Sequence, residues 1–202
     1  QIELPPSMKI IDRHAFSNSF LKYINMGKTQ LQEIRKGTFH RCLHLEKAIL
    51  PDTVTKIQRF AFCGCHALKE INLPKKLTEI GEKAFYECQA LKEIYLPKNL
   101  TKIGEKAFYG CSSLTEIIIP DLVTEIPAGA FENCRHLERA ILPNSVTKIQ
   151  HRAFRYCDAL VEINFPKSLT KIGEEAFYVC DSLTEVIIPN SVTEIHSGAF
   201  DG

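Results

Sequence analysis

The sequence predicts a repeat fold of the α/β class, mostly β: a solenoid of about nine stacked 23-residue coils that contribute parallel strands. Three observations carry this reading. Phenylalanine returns at 16, 39, 62, 85, 108, 131, 154, 177 and 200, a constant spacing of 23. Cysteine returns at 42, 65, 88, 111, 134, 157 and 180 with the same spacing, and Ser19 stands in phase one coil earlier. A third column alternates in charge, reading Glu33, Lys56, Glu79, Lys102, Glu125, Lys148, Lys171 and Glu194. Six of its seven steps pair opposite signs, which suits in-register stacking because directly opposed like charges destabilise a sheet.

Written from one cysteine to the next, the unit is C-x-x-L-x-x-I-x-L-P-x-x-L/V-T-x-I-x-x-x-A-F-x-x. Its first element is L-x-x-I-x-L-P, as in Leu114, Ile117 and Ile119, a short apolar alternation that reads as a strand ended by Pro120. The second, Val123–Ile126, is a β-branched run suited to another short strand. The third, A-F-x-x-C, reads as a turn or single helical turn that aims Phe108, Cys111 and Leu114 inward. Before the charged column runs a threonine ladder, Thr55 to Thr193, of the kind sheet surfaces favour. The first complete unit is irregular: Lys22, Asn25 and Lys28 stand where later units place Leu, Ile and Pro. Leu21, Ile24 and Met26 restore the pattern after a slip of one residue, so a local distortion is expected there.

A single unit buries too little apolar surface to offset the entropy of ordering it, so each coil must be covered by neighbours on both sides. Identical positions then lie about 4.8 Å apart, and every column becomes a ladder.

Composition narrows the functions. With 45% apolar and 24% charged residues the chain is an ordinary globular one, and 25 Lys and Arg against 24 Asp and Glu leave a net charge of +1. That balance supplies no field for nucleic acid or acidic lipid. No apolar run nears the roughly 18 residues of a membrane helix, since Ile117–Ile119 stops at Pro120. Residues 1–202 read as one solenoid domain cut within a repeat at both ends, hence as part of a longer protein.

The motifs LTEIGEKAFYEC, LKEIYLPKNLTKIGEKAFYGC and LTEIIIPDLVTEIPAGAFENC resemble the BspA-like, or treponemal, class of bacterial leucine-rich repeats, from Ile2 to Gly202. The resemblance implies an elongated, curved, right-handed leucine-rich-repeat solenoid from a cell-surface or secreted protein. It also implies adhesin-type binding of host, matrix or cell-surface proteins, with no catalytic residues to carry over and no cofactor.

Seven cysteines in one parallel column predict buried reduced thiols, because disulfides need converging Cβ vectors. Cys63, outside the column, stacks over His40 beside His66 and His44 and is a weak candidate zinc edge, since no C-x-x-C pair occurs. No nucleophile, acid and base set stands out from the repeat, so the chain is read as not an enzyme.

Between the inward residues of the first strand lies an outward column: Ile49, Asn72, Tyr95, Ile118, Ile141, Asn164 and Ile187. Beside it run Lys47, Glu70, Glu93, Glu116, Arg139, Glu162 and Glu185. An apolar strip next to an acidic stripe on the concave sheet predicts a contact surface for a protein with a basic, partly apolar face. Two alternatives stand beside it. The isoleucines satisfy strand propensity while Lys69 and Lys92 neutralise Glu70 and Glu93, or the whole chain is a spacer presenting other domains.

Overall fold

The computed structural model describes residues 1–202. In chain order its strands are β1 (Ile2–Glu3), β2 (Tyr23–Asn25), β3 (Glu33–Ile34), β4 (Lys47–Ile49), β5 (Lys56–Ile57), β6 (Glu70–Asn72), β7 (Glu79–Ile80) and β8 (Lys102–Ile103). There follow β9 (Glu116–Ile118), β10 (Glu125–Ile126), β11 (Arg139–Ile141), β12 (Lys148–Ile149), β13 (Glu162–Ile163), β14 (Lys171–Ile172) and β15 (Glu194–Ile195). All pairing is parallel and between successive coils, as in Arg139↔Glu116 and Ile149↔Ile126. The first unit slips as its sequence requires: Ile24 pairs Ala48 at a step of 24 and Ile2 at a step of 22, which buries Ile24 and Met26 completely.

Strand alternation sets the faces. Ile117 and Ile119 are 1% and 3% exposed while Ile118 between them is 52% exposed. All nine phenylalanines form one column, with neighbouring rings 5.1 to 5.5 Å apart and within 15° of parallel. Fifty-one buried side chains make a single core along the stack.

The third element is not helical, and the structure contains no α-helix, so the fold is all β with turns. Two residues per coil take left-handed backbone around A-F: Lys106 (φ 52) and Gly110 (φ 68), then Gly129 (φ 58) and Asn133 (φ 62). That geometry breaks any helix and points alternate N–H groups along the stack. Lys106, Phe108 and Gly110 donate to Ala128, Ala130 and Glu132 at 2.9, 2.9 and 2.8 Å, so this edge is a third ladder. Phenylalanine still points inward, as expected, but a turn puts it there.

All eight cysteines are reduced and buried. Each ladder thiol also donates to the carbonyl of the phenylalanine 26 residues earlier, for example Cys111 to Phe85 at 3.2 Å and Cys134 to Phe108 at 3.2 Å. The column therefore holds a small apolar group that also satisfies a buried carbonyl, and Ser19 at its start fits the same demand.

Neither strand face is continuous. The first is a four-stranded sheet, β1-β2-β4-β6, and a three-stranded one, β9-β11-β13; the second divides into β3-β5-β7-β8 and β10-β12-β14-β15. Both interruptions fall at the coil that begins with Leu91.

Candidate protein-binding face

On the second face the break has a covalent cause. In regular coils the residue after the second strand donates to the coil before it, as Gly104 does to Ile80 at 2.8 Å and Gln150 to Ile126 at 2.9 Å. The equivalent position after Ile126 is Pro127, which has no N–H, so the Ile103 carbonyl loses its donor. The threonine ladder fails at the same step. Thr101 donates to Thr78 and Thr147 to Thr124, both at 2.9 Å, but Thr124 makes no bond to Thr101.

On the first face each break follows a coil whose outward residue is an asparagine with its amide in the ladder. Asn72 accepts from Leu50 N–H through Oδ1 at 2.9 Å and donates through Nδ2 to Leu50 O at 3.2 Å. Asn164 treats Leu142 the same way, at 2.8 and 2.7 Å. The amide side chain thus takes the ladder bond that its own backbone carbonyl would accept. In both cases the next coil is unpaired: no backbone group of residues 93–96 or 184–188 makes a backbone hydrogen bond. Asn25 is the control. Its amide turns locally onto Gly27 N–H at 3.0 Å, and the following coil pairs normally, with Met26 donating to Ile49 at 2.9 Å.

The expected site residues therefore divide. Ile49 pairs with Asn72 and Ile118 with Ile141 across continuous ladders, with Ile49 and Ile141 only partly exposed. Tyr95 and Ile187, on the unpaired segments, are the most exposed apolar members of the column at 78% and 82%. A cavity of about 390 Å³ lies between the Tyr95 and Ile118 segments, and one of about 990 Å³ between those of Asn164 and Ile187.

The flanking stripe is less acidic than its sequence implies. Lys47 pairs with Glu70, and Arg139 bridges Glu116 and Glu162 at 3.2 Å each. Lys69 does not neutralise Glu70 but reaches Glu46 at 3.1 Å, and Lys92 forms no ion pair with Glu93. Glu93 instead accepts from the Tyr95 hydroxyl at 2.9 Å, a bond that pushes the phenol's pKa up. Neither Glu93 nor Glu185 is engaged by any Lys or Arg, and both lie on the unpaired segments. At the Cys63 edge no group of three or more His, Cys, Asp or Glu side chains converges to hold a metal.

Sequence reasoning located the column but missed the unpaired backbone. Pro127 and the two asparagines were the available signals; their effect depends on hydrogen bonds that cross coils.

The BspA type leucine rich repeat region matches in six copies, over residues 1–114, 32–159 and 78–202. Among solved structures, a leucine-rich repeat protein from Bacteroides ovatus is 33% identical with a TM-score of 0.87, covering 95% of this chain and 52% of its own. This chain thus spans about half the length of that protein. A leucine-rich repeat protein from Treponema pallidum is 32% identical with a TM-score of 0.76, covering 84% of this chain and 82% of its own. A leucine-rich cell surface protein from Faecalibacterium prausnitzii is 31% identical with a TM-score of 0.66, covering 86% and 43%. No curated protein matches the chain. Six family copies spanning the chain, together with the shared fold, show that it belongs to the BspA-type leucine-rich repeat family.

Proposed function

We propose that this chain is a non-enzymatic protein-interaction module of a bacterial cell-surface or secreted protein. It engages host, matrix or cell-surface proteins through the outward strip Ile49, Asn72, Tyr95, Ile118, Ile141, Asn164 and Ile187 and the carboxylates beside it. The observation that supports this most is the exposure of Tyr95, Ile118 and Ile187, at 78%, 52% and 82%, in one column of the stack. Ile118 is held outward on β9 and loses little further freedom on docking, and Tyr95 and Ile187 add apolar area beside it in the same column, which favours a contact role. A relative that is itself a leucine-rich cell surface protein supports the location. No helix is long and apolar enough to cross a membrane.

The spacer reading has its own support, since Lys47, Glu70, Glu116, Arg139 and Glu162 satisfy one another. Binding to immobilised matrix proteins and to host cells separates the two. Tyr95→Ser with Ile118→Ser, and Glu93→Lys with Glu116→Lys, abolish binding while the fold persists if the strip is the site. Undiminished binding by both folded double variants sinks the strip, and absence of binding by the parent chain to all of these targets favours the spacer.

A further inference from the structure

We infer that the cleft between the Glu93–Leu96 segment and β9 is a strand-addition site for an extended cationic peptide, a deepening that rests on the strip as the binding face.

The backbone supplies the first argument. Ile119 N–H donates to Ile141 O, and Met26 N–H to Ile49 O, both at 2.9 Å, but the equivalent donation from Leu96 to Ile118 is absent. Residues 93–96 make no backbone bond to the coil on either side. In a parallel ladder alternate residues direct both N–H and C=O to the same neighbour, so Ile94 and Leu96 face β9 across the cleft, and Ile118 faces them. An inserted strand meets unpaired donors and acceptors on both lips, whereas an exposed sheet edge offers only one.

The cleft is also mechanically separate. Between these two coils both strand ladders are broken, on the second face by Pro127, apart from bonds at the entry to the first strand, where Ser113 donates to Gln89 and Thr115 to Lys92, both at 3.2 Å. The coils are held instead along the turn edge, where Lys106, Phe108 and Gly110 donate upward and Phe108 stacks on Phe131 at 5.5 Å. A stack fastened along one side can part on the other without losing its aromatic column.

Charge then selects the occupant. The cleft is lined by Glu93, Glu116 and Asp121 against Lys98 alone, and only Glu116 is engaged by a basic side chain, Arg139. Tyr95 and Ile118 flank the opening on the same outward face as the two glutamates, while the inward side chains of a bound strand meet Ile94, Leu96 and Ile119. An alternating peptide with lysines outward, their ammonium groups toward Glu93 and Glu116 and their stems along Tyr95 and Ile118, and valines inward toward Ile94, Leu96 and Ile119 matches both faces.

The probe is the blocked hexapeptide Val-Lys-Val-Lys-Val-Lys, titrated into the whole chain by calorimetry and followed by amide hydrogen exchange. Saturable binding with slowed exchange at Ile94, Leu96 and Ile118 is expected. Binding should weaken about tenfold in the Glu93→Gln/Glu116→Gln variant, as loss of two screened charge pairs implies, and should disappear when alternate peptide amides are N-methylated. If the N-methylated peptide binds equally well, or those amides stay unprotected, strand addition is wrong and the strip binds through side chains alone. If the parent hexapeptide fails to bind at millimolar concentration, the inference falls, while the strip itself is still decided by the matrix-binding variants.

Discussion

The thiol column gives the solenoid an alkaline limit that can be worked out from burial. Desolvation pushes Cys63 up to about 11, and Cys111 and Cys180 up to about 12, from the usual 9.0. Cys65, Cys88, Cys134 and Cys157 are raised well above 9.0 for the same first reason. In the unfolded chain these thiols ionise near 9; in the folded one they stay protonated. The folded state therefore binds more protons above pH 9, and stability must fall as pH rises. Well below pH 9, where both states are protonated, nothing is lost. Cys42 runs the other way. Its hydrogen bond with Cys65 lowers it to about 7, so it adds stability as pH rises from 7 to 9.

Each raised thiol costs about 1 kcal/mol per pH unit above 9. The seven raised thiols together remove roughly 7 kcal/mol by pH 10, a large part of the 5 to 15 kcal/mol that holds a typical domain. Urea unfolding followed by circular dichroism at pH 8 to 10.5 measures this. Expected are a steep decline beginning near pH 9 and a shallower one in Cys111→Ser, by about 1 kcal/mol per pH unit. Serine keeps a donor to Phe85 and does not titrate. Equal slopes in parent and variant would refute the assignment of the decline to buried thiols, whatever the variant's stability at pH 7.

Four further outcomes follow from the same geometry. Phe108→Ala should lower stability by about 3 to 5 kcal/mol by opening the aromatic column, against less than about 1 for Thr101→Ala, as read by urea midpoints. Val179 holds φ 53 where other coils place Gly64 and Gly110, so Val179→Gly should stabilise by about 1 kcal/mol in the same assay. Gly104→Ala should destabilise by about 1 to 3 kcal/mol, because the new Cβ would lie 2.3 Å from Glu82 N and 2.4 Å from Gly81 C in the coil below. Asn72→Val should return the ladder to the backbone and slow amide exchange across residues 93–96; unchanged exchange there would show that the asparagine is not what diverts it.

The fold was legible because its determinants repeat. One phenylalanine in one coil is weak evidence, but nine at a constant step fix the register, and the alternating charges fixed it independently. The structure bears this out, including Lys148 lying directly against Lys171, the one like-charged step. What repetition could not reveal was conformation within the turn, because left-handed positions here are filled by Lys, Arg, Glu, Tyr and Val more often than by Gly. Their inter-coil hydrogen bonds hold them, and no local propensity announces that. The candidate site was half legible for a related reason. The outward column could be read from alternation, yet its two asparagines looked like dilutions of an apolar strip. Each takes over a ladder bond to the coil before it, and the coil after each is unpaired, with Tyr95 or Ile187 standing out beside a carboxylate without a basic partner. In a fold where neighbours are nearly identical, such departures from the repeat supply what distinguishes one coil's surface from the next.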